Sequence, residues 1–219
     1  MSYWVMIILF IVVSSAVRRM VGVAIAKGHK VRDQSGMTGI QAAERALIMA
    51  GVSGIRFGVA PADHYDPRTR TINLTPENGK GRSVTAIAIA LHETGHAVQH
   101  AKADAFFGVR SAIFPVANIG SNMAFPLILI GMFTGYTNLL WLGIIAFGGA
   151  VLFHIVTLPV EFDASARAMR MADEVGVLEG RKEGVLARGV LRAAALTYVV
   201  AALIALIQLL HYIGIARRR

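Results

Sequence analysis

From Ser111 to Val160 the chain carries no Asp, Glu, Lys or Arg. One membrane-crossing helix needs about 20 apolar residues. This stretch therefore accommodates two, broken near Gly135-Tyr136-Thr137-Asn138. A helical hairpin returns the chain to the face of the bilayer it left. Two more uncharged runs lie outside it, residues 1–17 and Ala193–Leu210. The chain has 219 residues, of which 55% are hydrophobic and 16% charged. A soluble domain is about 45–50% apolar and about 25% charged, and a chain this short cannot bury the excess in one core. The expected fold class is a mainly α membrane protein with about four transmembrane helices.

Arg18 and Arg19 follow the first apolar run directly. A secretory signal peptide places its positive charges before that run. Residues 1–17 therefore read as an uncleaved transmembrane anchor with its N-terminus outside. Segments 18–110 and 161–192 then lie on the cytoplasmic side and hold 19 of the 22 Lys and Arg residues, as the positive-inside rule requires. A last span over 193–216 carries Arg217, Arg218 and Arg219 outside, against the rule, and the bulk bias is expected to dominate. The formal charge of +9 faces anionic lipid in this arrangement. Its division between two segments that flank spans disfavours a nucleic-acid partner. The absence of cysteine excludes a disulfide framework, a thiolate metal site and a cysteine nucleophile. Nothing in the sequence sets an oligomeric state.

Residues 18–110 form the only extramembrane stretch large enough to fold by itself. Met37–Gly51 reads as an amphipathic helix with Thr38 as N-cap and Gly51 as its stop. Ile55–Ala60 and Arg70–Leu74 alternate and read as strands, with His64–Pro67 as a turn between them. Ser83 to about Ala103 reads as a helix whose first half is unusually apolar.

That helix contains His92-Glu93-Thr94-Gly95-His96, an HExxH motif. Positions i and i+4 share a helical face, so both imidazoles reach one Zn2+ ion with Glu93 beside them. Zinc lowers the pKa of bound water to about 7. Glu93 is then placed as general base, taking the proton and returning it to the leaving amine. A catalytic zinc takes a third protein ligand. His100 lies eight residues past His92, about 12 Å along a straight helix, too far to share the ion. It reads as a support behind the ligands or as a cap on the helix end. Glu161, at the end of the third span, is the expected third ligand, because the hairpin returns it to the face of the HExxH helix. Asp163 is the alternative, as ligand or as support for one, although its helical phase nearly opposes that of Glu161. Asp63-His64-Tyr65-Asp66 precedes a short strand and the motif helix. Substrate adding as a strand along Arg70–Leu74 would bring His64 or Tyr65 to the oxyanion; otherwise the stretch is an Asx-type turn.

Several pieces keep a common order along nearly the whole chain: Ser35-Gly36-Met37-Thr38-Gly39, Asp63 to Thr69, Asn78 to Ser83, His92 to His100, Pro115 to Asn118, Thr157 to Ala166 and Ala193 to Val199. In these pieces the chain resembles the YugP-like neutral zinc metallopeptidases, a family of small bacterial membrane proteins. The resemblance implies a zinc peptidase of the bacterial inner membrane, with a small α+β zincin-like domain carrying the HExxH helix. It implies a peptide or membrane-protein substrate. Glu161-Phe162-Asp163-Ala164 also looks like the third-ligand helix of gluzincin peptidases that cleave at membrane surfaces. Those peptidases place an Asp four residues after the Glu, where this chain has Ser165, so the customary carboxylate support for a zinc histidine is replaced by a hydroxyl.

The domain organisation expected from these readings is an anchor over 1–17, a catalytic domain over 18–110 and a membrane hairpin over 111–160. A cytoplasmic segment over 161–192 with the third ligand follows, and then a terminal span over 193–216. The leading function is a membrane-bound zinc endopeptidase acting at the cytoplasmic face. An intramembrane protease of the site-two type is weaker, because Arg82 and Lys102 bound the motif helix and the distant Asp-Gly ligand motif is absent. The reading from another class is a non-catalytic scaffold or adaptor with a structural zinc. Glu93 discriminates, since a structural site needs four closed ligands and no base.

Overall fold

The structure, a computed structural model, describes residues 3–218. The first two residues of the expected anchor and Arg219 of the terminal arginine group lie outside the described residues. The order is α1 (Tyr3–His29), α2 (Gly39–Met49), β1 (Arg56–Val59), β2 (His64–Asp66), β3 (Thr71–Leu74), α3 (Pro76–Lys80), α4 (Val84–Ala101), α5 (Ala105–Thr134), α6 (Thr137–Val175) and α7 (Arg181–Ala216). Among the described residues, α1, α5, α6 and α7 are the four helices long and apolar enough to cross a membrane. The motif helix α4 is not one of them.

The membrane hairpin breaks where its sequence indicated. Gly135 closes α5 in the left-handed conformation, at φ 77°, which glycine adopts without steric cost. Its two arms come close because Cβ atoms are missing between them. A Cβ on Gly131 would stand 2.5 Å from the Leu140 amide nitrogen, and one on Gly143 would stand 2.8 Å from Ile128. Gly148 and Gly149 face open space instead.

The long helices overrun the boundaries set by charge. α1 continues through Arg18 and Arg19 to His29, and α6 continues through Glu161 to Val175. Charged side chains mark where a helix leaves the apolar phase, but they do not end it. Gly176, at φ 77°, ends α6. The stretch 161–192 is thus mostly the outer turns of α6 and the first turns of α7, joined by a short tucked loop. In that loop Val177 and Leu178 are buried, and the Leu178 amide donates to buried Asp33 Oδ1 at 2.8 Å.

Extramembrane residues 30–104 fold against these outer turns. α2 starts with the expected Thr38 cap: Thr38 Oγ1 accepts from the Gln41 amide, and the Gln41 side chain accepts from the Thr38 amide. The three strands form one sheet in the order β1-β3-β2, with β1 parallel and β2 antiparallel to β3. His64–Asp66 is therefore strand β2 and not the expected turn. The turn falls at 67–70, where Asp66 accepts from the Arg68 amide and the Thr69 hydroxyl at 2.9 Å each. The correction has a functional side. β3 has both edges filled, so substrate cannot add along Arg70–Leu74, and β2 is an outer strand.

So small a sheet cannot make its own core. It rests on α4: Tyr65, Ile72 and Leu74 pack with Ala90, Ala97, Phe107 and Val160. The other flank of α4 packs into a second cluster with α2, α6 and α7. This enclosure explains the apolar first half of the motif helix. α4 crosses α6 at Gly95, where an added Cβ would lie 2.8 Å from the Ala164 carbonyl oxygen. Backbone cannot yield as a side chain can. Gly95→Ala is expected to destabilise the protein by about 1–3 kcal/mol through overpacking. Gly148→Ala, which meets nothing within 4 Å, should be neutral or slightly stabilising by helix propensity. Thermal melts of the two variants in one detergent check the contrast.

Candidate metal centre

His92 and His96 stand one turn apart on α4, their rings edge-on with centroids 4.7 Å apart. Opposite them α6 supplies Glu161, whose Oε2 lies 3.3 Å from His92 Nε2 and 3.7 Å from His96 Nε2. The ligand atoms of all three residues lie within 4.8 Å of one another. A tetrahedral ion bound at about 2.0–2.1 Å separates its ligand atoms by roughly 3.3–3.4 Å. The spacing therefore suits one small cation. Glu161 is 2% exposed and its Oε1 makes no hydrogen bond among the described residues; the guanidinium of Arg110 stands 3.5 Å away. Arg110 answers the charge on Oε1, and Oε2, the oxygen that faces both imidazoles, is the one a cation in the triad would bind. The donor set, two imidazoles and a carboxylate, fits zinc.

The far sides of both imidazoles are held. Ser165 Oγ lies 3.3 Å from His92 Nδ1. Gln99 Oε1 lies 2.9 Å from His96 Nδ1. With Nδ1 protonated and donating to these oxygens, Nε2 keeps its lone pair toward the triad. Gln99 is fully buried, and its amide donates on to Val160 O at 3.0 Å and Asp163 Oδ2 at 2.8 Å. Asp163 is also held by Arg167, so its carboxylate is engaged outside the triad and supports His96 through Gln99. The sequence reading missed Gln99. It is the only side-chain amide on α4 and sits at i+3 from His96, the position facing the same side.

Glu93 is buried beside the triad. Burial is the main cause that pushes its carboxyl up to about 6, opposed by the nearby His92 and assisted by Glu161. Its partner on the sheet side is the backbone N–H of Tyr65, on β2. Tyr65 thus reaches the site through its main chain, because its phenol is bonded to His100 Nδ1 at 2.8 Å. His100 stacks on Phe107 at 5.6 Å and touches Tyr65 rather than a triad residue. His64 is tied at the exposed end of β2, to Ala62 O at 2.9 Å and to the Asn73 amide at 3.2 Å. A second residue to which the sequence reading gave no role is Tyr198 of α7, although it lies in the Ala193–Val199 piece. Its phenol faces Glu161, Arg110 and Glu93. It lies inside an uninterrupted apolar run, and only the packing of α7 on α6 and α4 turns it toward the triad.

Residues 3–217 match the model of the family described as "Putative neutral zinc metallopeptidase". The chain is 43% identical over 194 residues to "Putative membrane protease YugP" of Bacillus subtilis, an alignment covering 86% of this chain and 85% of that protein. No solved structure matches it. With the match running almost from end to end, through the helix that bears His92 and His96 and the one that bears Glu161, the chain belongs to the neutral zinc metallopeptidase family so described.

Proposed function

We propose that the protein is a gluzincin-like zinc metalloendopeptidase that hydrolyses peptide bonds at the cytoplasmic face of the membrane. The observation that carries this reading is the convergence of His92, His96 and Glu161 with a buried Glu93 beside them. His92, His96 and Glu161 would hold one Zn2+, which supplies Lewis-acid activation of water. Glu93 accepts from the Tyr65 main chain and stands beside the triad, and we assign it as the base. It receives the proton of the attacking water and delivers it to the departing amine. The outer strand β2, whose Tyr65 N–H already points to Glu93, is the edge along which a peptide would lie. Tyr198 and Arg110 approach from the membrane side. We assign Tyr198, in place of His64 or the Tyr65 phenol, as the donor to the carbonyl oxygen on which charge develops. The cytoplasmic side follows from the basic segments that flank the spans.

Glu161→Gln is expected to lose most bound zinc, measured by elemental analysis of the purified protein. Glu93→Gln should keep its zinc and lose cleavage by about 10²–10⁴-fold. Full zinc in the first variant, or cleavage at the wild-type rate in the second, contradicts the assignment. Absence of cleavage in wild type and variant alike, over many peptides, would favour the scaffold.

The base works as a carboxylate, so activity is present above its pKa and lost as pH falls through it. Glu93 stands near 6 without a cation, and a neighbouring positive charge lowers that value. The acid limb of kcat/KM should fall at or below about pH 6. A limb centred above neutrality would assign the titration to another group.

Tyr198→Phe should lower kcat by about 10²–10³-fold, as expected for removing one oxyanion donor. KM and zinc content should stay near wild type. His64→Ala should leave kcat within a few-fold, and a loss as large as that of Tyr198→Phe would reverse the assignment.

A further inference from the structure

Between α6 and α7 lies a cavity of about 390 Å³, within the roughly 300–1,000 Å³ range of ligand sites. Small side chains make the room, Ser165 and Ala166 on α6 and Ala195 on α7, and Phe162, Leu196 and Val199 border it. At one end stand Arg188 and Arg192, one turn apart and hence on one face of α7. Both are exposed. The acidic groups nearest in sequence on α6 are taken by others: Asp163 pairs with Arg167 and Arg170. Among the described residues neither Arg188 nor Arg192 has an ion pair or a side-chain hydrogen bond.

The cavity straddles the boundary of the apolar phase. α7 has no Asp, Glu, Lys or Arg from Ala193 to Ala216, and α6 has none before Glu161. Arg192 is the last charged residue before the uncharged run of α7 and so marks the boundary on that helix. Arg188 and Arg192 lie on its polar side, and Leu196 and Val199 lie on its apolar side. A free phosphate or an acidic peptide would use only the arginines. An apolar helix would use only the lower half and leave two cations unanswered. A ligand that joins a phosphate to an acyl chain uses both halves. Guanidinium forks match phosphate oxygens in pairs, and basic pockets between membrane helices bind anionic head groups.

We propose that this groove binds an anionic phospholipid, with its phosphodiester on Arg188 and Arg192 and an acyl chain along Leu196 and Val199. Ser165 lines the cavity and also meets His92 Nδ1 at 3.3 Å, so the lipid sits one side chain from the metal centre.

The test uses the full chain reconstituted in phosphatidylcholine nanodiscs with a minor fraction of phosphatidylglycerol. The protein is re-extracted and washed, and retained lipid is identified by native mass spectrometry. Wild type should retain phosphatidylglycerol in preference to phosphatidylcholine. Arg188→Gln with Arg192→Gln removes two exposed charges and should weaken that retention by about 30-fold. Ala166→Trp fills the groove from its exposed side and should also lose the lipid, with both arginines intact. Arg217→Gln with Arg218→Gln removes the same charge at the other end of α7 and should retain it. Unchanged retention in either groove variant, an equal loss in the terminal control, or no preference in wild type overturns the proposal. So does a raised KM for peptide in Ala166→Trp with unchanged lipid, which would assign the groove to an apolar substrate segment. Retention is read without peptidase activity, so its failure is separate from any failure of the catalytic reading.

Discussion

The contact on which the rest depends is the crossing of α4 over α6 at Gly95. Two histidines on one helix face are a common and inert arrangement. They become a three-sided pocket only when a carboxylate is brought against them, and Glu161 comes from a helix far away in sequence. The absence of a side chain at Gly95 lets the backbones meet at Ala164. Glu161 lies one turn before that crossing and Ser165 directly after it. One close approach thus sets the distance from Glu161 to both imidazoles and the distance from Ser165 to His92. A thicker crossing would open the triad beyond the span of a single small ion.

The second constraint is the bilayer. α6 is uncharged as far as Val160 and charged from Glu161 onward, and it stays helical through Pro159, whose missing N–H removes one bond of the ladder. The helix runs on past Pro159 to Val175, so the carboxylate is presented where the uncharged stretch of α6 ends. The sheet and α2 cover α4 on its outer flanks, while Arg110 of α5 and Tyr198 of α7 approach the triad from the long helices. The centre thus lies between the outer strand β2 and the long helices α5, α6 and α7.

The polar groups behind the triad form a chain with each member satisfied. His96, Gln99, Asp163 and Arg167 are linked in that order, and Gln99 also reaches a backbone carbonyl of α6. In a buried setting such a chain is worth more than its separate bonds, because every unmade bond costs the desolvation of its group. The neighbouring hydroxyl of Ser165 meets the other imidazole, at His92 Nδ1. Support is thus divided, with a hydroxyl behind His92 and an amide–carboxylate relay behind His96.

Much of this was legible along the chain. The uncharged run at 111–160 dictated the hairpin, since unpaired charges do not lie in hydrocarbon. Thr38 announced a helix start through its capping side chain, and Ser83, read as the start of the motif helix, is its N-cap in the structure. His92, Glu93 and His96 followed from the period of one helix, a purely local property. What the linear order left open was pairing at a distance. A strand's neighbours are set by the sheet, so β2 read as a turn and β3 was taken for an edge. Helix ends were placed at charges, although a backbone glycine is what terminates α6. Gln99 and Tyr198 bear no distinctive spacing, and they acquire a role only through the faces that α6 and α7 turn toward α4. The sequence by itself determined which segments enter the membrane and which helix carries the histidines, because those follow from composition and local period. The tertiary structure decided which side chains close the centre and support it, because that depends on where backbones separated by many residues can approach.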